Sequence, residues 1–210
     1  MSARNPVKQR ILSFATEKFL REGFSKVTVE EIAGDLLISK KTFYKFFDGK
    51  EDLVLQVVAG IMSGMKTRFA RIVESEEDFV EKLSVVMALL AHEVSRFGRP
   101  FQVDLQRHAP EIWMRVENFR RQRITQYFSR LLAQGVTEGY VRKEINQRIF
   151  LLSYLGAVER IVRPSVLIEE SFSIREALHG ILSVFFEGIL TKEARQRLQE
   201  LQQIQRQHIL

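Results

Sequence analysis

The stretch that decides the fold is Thr28-Val-Glu-Glu31-Ile-Ala-Gly-Asp-Leu-Leu-Ile-Ser39-Lys40-Lys41-Thr42-Phe-Tyr44-Lys45-Phe-Phe47-Asp-Gly-Lys50-Glu-Asp-Leu53. Thr28 followed three residues later by Glu31 is a capping box, and Ile32, Ala33 and Leu36 give the helix it opens a buried side. Ser39 is a second cap, for a helix read through Phe47, and Asp48-x-x-Glu51 is a third helix start. Phe43 and Phe47 are four apart and share the inner face of the middle helix, which leaves Lys40, Lys41, Tyr44 and Lys45 outside. Two lysines at a helix N-terminus oppose its positive dipole end, and Lys41 repels Lys45 one turn on. A polyanion beside the helix removes both penalties. The N-terminal part of a recognition helix in a DNA major groove meets that condition. Thr42 and Tyr44 can donate to phosphate, and Lys50 adds an ammonium to free backbone N–H groups as a phosphate clamp. The plain alternative for the same residues is a solvated helix face.

Outward from this stretch, every pattern is helical. Asn5-Pro6 caps and starts a first helix, with Val7, Ile11, Phe14, Ala15 and Phe19 at helical spacing and Gly23 as its stop. The helix launched at Asp48 continues to about Val73. Further helices are expected over 76–97, to Arg107 after Gly98-Arg-Pro100, from Pro110 to about Gly135, over 146–163 and 173–190, and along the Gln/Arg-rich tail from Thr191 to Leu210. The expected fold is all-α: an N-terminal three-helix helix-turn-helix domain over 1–50, joined by a long helix to a larger helical domain over 51–210.

Composition limits the function. The net charge of +6 and a pI near 9.7 favour an anionic partner. With no cysteine, disulfides, thiolate metal sites and cysteine nucleophiles are excluded. The polar N-terminus lacks the apolar stretch of a signal peptide, and no apolar run approaches the roughly 20 residues that span a bilayer. A soluble, cytoplasmic protein without a membrane partner is expected. The histidines His92, His108, His179 and His208 have no metal-binding spacing, and no phosphate loop or nucleophile elbow occurs. The pairs Glu30-Glu31, Glu76-Glu77 and Glu169-Glu170 diverge on a helix. No catalytic residue, metal or cofactor is assigned, and the chain is read as a non-enzyme.

The capped helix with Ile-Ala, then Ser-Lys-Lys-Thr-Phe-Tyr-Lys-x-Phe and Lys-Glu-Asp-Leu, resembles the N-terminal signature of TetR-family (tetracycline-repressor-like) transcriptional regulators. The likeness covers roughly the first 55 residues in one register. It implies a homodimer that binds a double-stranded, palindromic DNA operator, with an effector-binding larger domain and a dimer interface on the last two long helices. By position it implies a DNA-contacting set of Thr28, Ser39, Lys40, Lys41, Thr42, Tyr44, Lys45 and Lys50. Leu37 departs from the family, standing where a turn glycine is usual, so the turn is expected to manage without easy access to positive φ. Phe46 replaces a polar residue and receives no DNA role.

The helices over 146–163 and 173–190 are apolar on more than one face, as for helices covered by their own domain and by a second subunit. Leu152, Leu155, Gly156, Leu178, Ile181, Leu182, Phe185 and Phe186 are the expected dimer contacts; a monomer core is the alternative. Met62, Met65, Phe69, Phe101, His108, Trp113 and Phe119 are candidates to line a pocket for a small, largely apolar effector, each with plain core packing as its alternative. Arg107, Arg115 and Asp104 are candidates to orient a polar head. The function expected from these readings is a ligand-responsive transcriptional repressor released from DNA by its effector. A helical carrier of apolar ligands and an effector-independent architectural DNA binder are the alternatives.

Overall fold

The computed structural model describes residues 5–96, 99–161, 163, 166 and 169–207. Ten helices are named among them: α1 Pro6–Glu22, α2 Val29–Asp35, α3 Lys40–Tyr44, α4 Lys50–Val73, α5 Phe79–Arg96, α6 Arg99–His108, α7 Pro110–Thr137, α8 Gln147–Ile161, α9 Ile174–Ile189 and α10 Lys192–Gln207. The fold is all-α, with one isolated bridge, Val141 to Leu190, among the described residues. Gly98, Pro164 and His208, which the sequence reading used, lie outside the described residues.

The expected caps form. Asn5 accepts from the Val7 and Lys8 amides, with Pro6 at the first helical position. The Thr28–Glu31 box is closed in both directions, and Ser39 accepts the Thr42 N–H at 3.0 Å. Two boundaries differ from expectation. α3 ends at Tyr44, with Phe46 and Phe47 carried on in a tighter turn whose amides both return to the Phe43 carbonyl. At α4 the Asp48–Glu51 box does not form: the Gly49 carbonyl accepts the Leu53 N–H, and it is Asp52 that reaches back to the Asp48 N–H at 3.2 Å.

The chain separates into two compact units, Met1–Met65 with Arg96–Asn118, and Lys66–Ser95 with Phe119–Leu210. The first contains α1 to α3, the start of α4, α6 and the start of α7. Its core is Ile11, Ala15, Phe19, Ile32, Phe43, Phe47, Leu53 and Phe101, all at most 1 % exposed. The second is centred on an aromatic group, Phe128, Phe150, Tyr154 and Phe186, with ring centroids 5.2 to 6.3 Å apart. Gly135 permits a close approach there, since a Cβ would lie 2.7 Å from Val141 Cγ2 and 2.8 Å from the Phe79 ring. Lys82 is buried, and its ammonium donates to the Val73 carbonyl at the end of α4 (3.2 Å) and to Gln134 Oε1 (3.0 Å). A cation at that helix terminus satisfies a carbonyl the helix cannot. Arg197 of α10 ties itself to the start of α5 through Asp78 (2.5 Å) and Glu81 (3.1 Å).

Candidate nucleic-acid interface

α2 and α3 are seven and five residues long, too short to be stable alone. Their placement comes from Ile32, Ala33 and Phe43 beneath and from the turn between them. In that turn the Ile38 N–H donates to the Ala33 carbonyl (2.9 Å) and the Leu37 N–H to Gly34 (3.0 Å), the paired bonds of a Schellman motif. Its left-handed position falls on Leu37, at φ 53° with its side chain 93 % exposed. The turn thus reaches positive φ without a glycine: the bonding pattern requires that conformation, and a leucine adopts it. Arg10 of α1 donates to the Leu36 carbonyl and fastens the same corner.

The outer face of α3 carries Lys40, Lys41, Tyr44 and Lys45, all exposed, with Tyr44 at 53 %. Tyr44 stands edge-on against Phe43, centroids 5.4 Å apart, so its phenol is held by a buried ring. Ser39 and Thr42 share a hydrogen bond of 2.9 Å between their hydroxyls, Ser39 exposed and Thr42 half-buried. Thr28 is exposed at the head of α2. Phe46 is half-buried on the head's core, consistent with leaving it out of the DNA-facing set.

Electrostatically the face differs from the expected bare lysine row. Lys40 Nζ lies 2.5 Å from Glu30 Oε1 of α2, both side chains more than half exposed. The hydrogen bond to Lys40 lowers the Glu30 pKa, and the same bond raises that of Lys40. The dipole penalty on Lys40 is thus offset from within the chain. Glu31 works similarly: Lys18 of α1 lies 2.7 Å from it and lowers its pKa. Lys50 has no such partner, yet its ammonium is occupied by the carbonyls of Phe24, Ser25 and Val27. Arg10, Glu30 and Asp104, which the sequence reading left out of the DNA-facing set, all act through partners distant in sequence.

Of the pocket candidates, Met62, Met65, Phe101, His108 and Trp113 lie in the first unit, and Phe69 and Phe119 in the second. Phe101 is fully buried in the first unit's core, in edge contact with Phe24 at 6.1 Å, and Met62 and Trp113 pack on that core. Phe101 has no surface to offer a ligand. Met65 is half-buried and His108 exposed in the same unit. In the second unit Phe69 is buried and stacked on Tyr127 (5.5 Å), while Phe119 lies beneath the Arg123 guanidinium (5.6 Å).

The dimer set also divides. Leu155, Leu178, Ile181, Leu182 and Phe186 are at most 9 % exposed within their own chain. Leu152 and Gly156 are exposed and Phe185 half-buried. The outward apolar residues are Ile149 at 61 % and Val184 at 74 %, beside a groove between α8 and α9 lined by Ile145, Phe150, Ser153, Phe185 and Gly188. Among the described residues no three acidic or histidine side chains converge on a metal-sized space, and no helix is long and apolar enough to cross a membrane.

Comparison with known proteins agrees with the geometry. Residues 11–57 match the family model for bacterial regulatory proteins of the tetR family. The chain is 30 % identical to the nucleoid occlusion factor SlmA of Vibrio campbellii over 66 % of its own length and 72 % of that protein. It is 25 % identical to the HTH-type transcriptional regulator YvaF of Bacillus subtilis, over 88 % of this chain and 96 % of YvaF. A crystal structure of a transcriptional regulator from Cytophaga hutchinsonii superimposes with a TM-score of 0.72 at 19 % identity, over 89 % of this chain and all of that one. With its Schellman-turned α2–α3 pair, its capped and lysine-faced α3 and this relationship along most of its length, the chain belongs to the TetR family of non-enzymatic, DNA-binding transcriptional regulators.

Proposed function

We propose that this protein is a ligand-responsive repressor that binds a palindromic operator as a homodimer. The observation that carries the reading is the outer row of α3, where Lys41, Tyr44 and Lys45 are exposed beside the hydroxyls of Ser39 and Thr42. Lysines and hydroxyls position a helix on phosphates, while Tyr44 and Thr42 meet base edges or a thymine methyl. Thr28 adds a phosphate contact at the head of α2, and Lys40 joins when a phosphate competes with Glu30. The exposed stripe of Ile149, Leu152 and Val184 supports a second copy as the partner on α8 and α9. Two heads then read half-sites one helical turn apart, and a small apolar effector releases them by favouring a state in which the spacing is lost.

The test selects duplexes from a random pool with the purified protein, then titrates the selected duplex with Lys40→Ala/Tyr44→Ala. Affinity should fall while folding and dimerisation stay native. Unchanged affinity removes this surface from the reading. Binding with steep salt dependence and no selected sequence marks an architectural binder, and no duplex binding marks a carrier. Native mass spectrometry of the same preparation reports the dimer and any co-purified ligand.

A further inference from the structure

The segment Gly23–Val27 joins α1 to α2, yet it is held by α4 and α6. From α4, Lys50 Nζ donates to the carbonyl oxygens of Phe24 (3.2 Å), Ser25 (3.0 Å) and Val27 (3.0 Å). An ammonium has three N–H groups, so these acceptors use all of them. From α6, Asp104 Oδ2 accepts the Ser25 N–H at 2.7 Å. Ser25 is therefore gripped through both backbone groups by charged partners, the stronger class of hydrogen bond. The approach of α6 demands glycine at position 23: φ is 84°, and a Cβ would lie 2.5 Å from the same Asp104 oxygen and 3.4 Å from the Pro100 carbonyl carbon. Phe24 closes the apolar side of the loop, edge-on to Phe19 of α1 and Phe101 of α6, each at 6.1 Å.

The loop ends one residue before Thr28, the cap that fixes where α2 begins. α2 in turn fixes α3 through the Leu37 turn. We propose that Lys50 and Asp104 are positioning residues for operator recognition. Together they clamp Gly23–Val27 and so set the register in which α3 is presented to the groove, and the Lys50 ammonium does not bond a DNA phosphate. This rests on the DNA-facing surface proposed above. Physically, swinging Lys50 to a phosphate strips a charged donor from three carbonyls, two of them in part-buried surroundings.

Salt dependence separates a phosphate contact from a clamp. The duplex selected by the native protein is titrated across a salt series with Lys41→Ala, Lys50→Ala, Lys50→Arg, Asp104→Leu and Asp104→Asn, and backbone amide exchange is followed in the free proteins. Lys41→Ala should reduce the slope of log affinity on log salt by about 2, one lost phosphate contact in each of the two heads. Lys50→Ala should weaken binding at least about ten-fold, the scale of one recognition contact, with the native slope kept. Its amides from Ser25 to Glu31 should exchange faster, and Lys50→Arg should restore part of both. Asp104→Leu should weaken binding and expose the Ser25 amide, while Asp104→Asn, which keeps an acceptor oxygen, should stay near native. Should Lys50→Ala unfold the head, the Asp104 pair still decides.

A slope reduced by about 2 in Lys50→Ala, one contact per head, with Ser25 exchange unchanged, returns Lys50 to the phosphate backbone and overturns the proposal. Native affinity in Asp104→Leu overturns the α6 half. A native protein that binds no duplex overturns the DNA-facing surface instead, because the exchange measurements read the clamp without DNA.

Discussion

In the first unit, α2 and α3 span seven and five residues and lean on caps, a Schellman turn and the α1 side chains Arg10 and Lys18. In the second, α8 and α9 span fifteen and sixteen residues and meet through Phe150, Tyr154, Phe185 and Phe186. The short helices expose charge and hydroxyls on the outside, while the long ones expose Ile149, Leu152 and Val184. Polar outer faces suit a ligand that is itself hydrated and charged; apolar ones suit a permanent protein partner. The two regions are thus held together by different physics and face different partners.

The strongest way to break this contrast is to charge the apolar face. Ile149→Glu/Val184→Glu places carboxylates where a second copy is proposed to pack, and burying them unpaired is costly. Sedimentation should find a monomer at concentrations where the native protein is a dimer. Operator affinity should drop more than about a hundred-fold as two-headed binding is lost. Both residues are exposed, so the melting of each subunit should change little. A double variant that remains dimeric moves the interface off α8 and α9.

The next effect tests whether the two cores are separately maintained. Phe43 and Phe186 are both fully buried. Truncating either to Ala costs about 3–5 kcal/mol. Amide exchange should show Phe43→Ala loosening α1 to α3 while α8 and α9 stay protected, and Phe186→Ala doing the reverse. Loss of protection everywhere in both variants makes the molecule one cooperative unit.

How far each region was legible in sequence follows from the same contrast. Thr28 with Glu31, and Ser39 with Thr42, make bonds within three residues, so the caps are read from local sequence. Phe43 and Phe47 were readable as an inner face because the outer positions are polar. On α8 and α9 both faces are apolar, so periodicity did not reveal which residues the chain buries for itself. Leu155 and Leu182 were consequently expected at the dimer interface, and the outward placement of Ile149 was not legible. The contacts of Lys50 and Asp104 were not legible for another reason: their partners lie 23 to 26 and 79 residues away, beyond any local rule. The pocket candidates were not separable from core by size, since large apolar side chains such as Phe101 fill cores as readily as they line cavities.

A smaller effect concerns Glu30, which engages the lysine face. Lys40 holds the Glu30 carboxylate below its ordinary value of 4.5, so any stability from the pair is fully present above that value and fades as pH falls through the lowered one. From pH 8 to 5 both partners stay charged, and this pair adds no pH dependence to DNA binding. Glu30→Gln removes the competitor for Lys40, and affinity for the selected duplex should rise, by no more than roughly five-fold for an exposed pair. Fluorescence anisotropy reads it, and a fall in affinity would mean that Glu30 holds Lys40 where DNA needs it.

The smallest effect lies at Leu37. A left-handed conformation costs an L-residue roughly 1–2 kcal/mol, which Leu37→Gly removes. Glycine returns about 0.5–1 kcal/mol of that as backbone entropy lost on folding. The side chain is 93 % exposed, so the substitution sacrifices almost no burial. The net result should be stabilisation by about half a kcal/mol, read as a higher denaturant midpoint for the head. Leu37→Ala is the control, because it removes the same γ carbon and δ methyls but keeps the Cβ that the conformation penalises. If Ala stabilises as much as Gly, the strain is absent and the gain comes from removing an exposed apolar group. If Gly alone stabilises, the turn is strained at Leu37, and the head keeps that strain where α2 hands over to the helix that reads DNA.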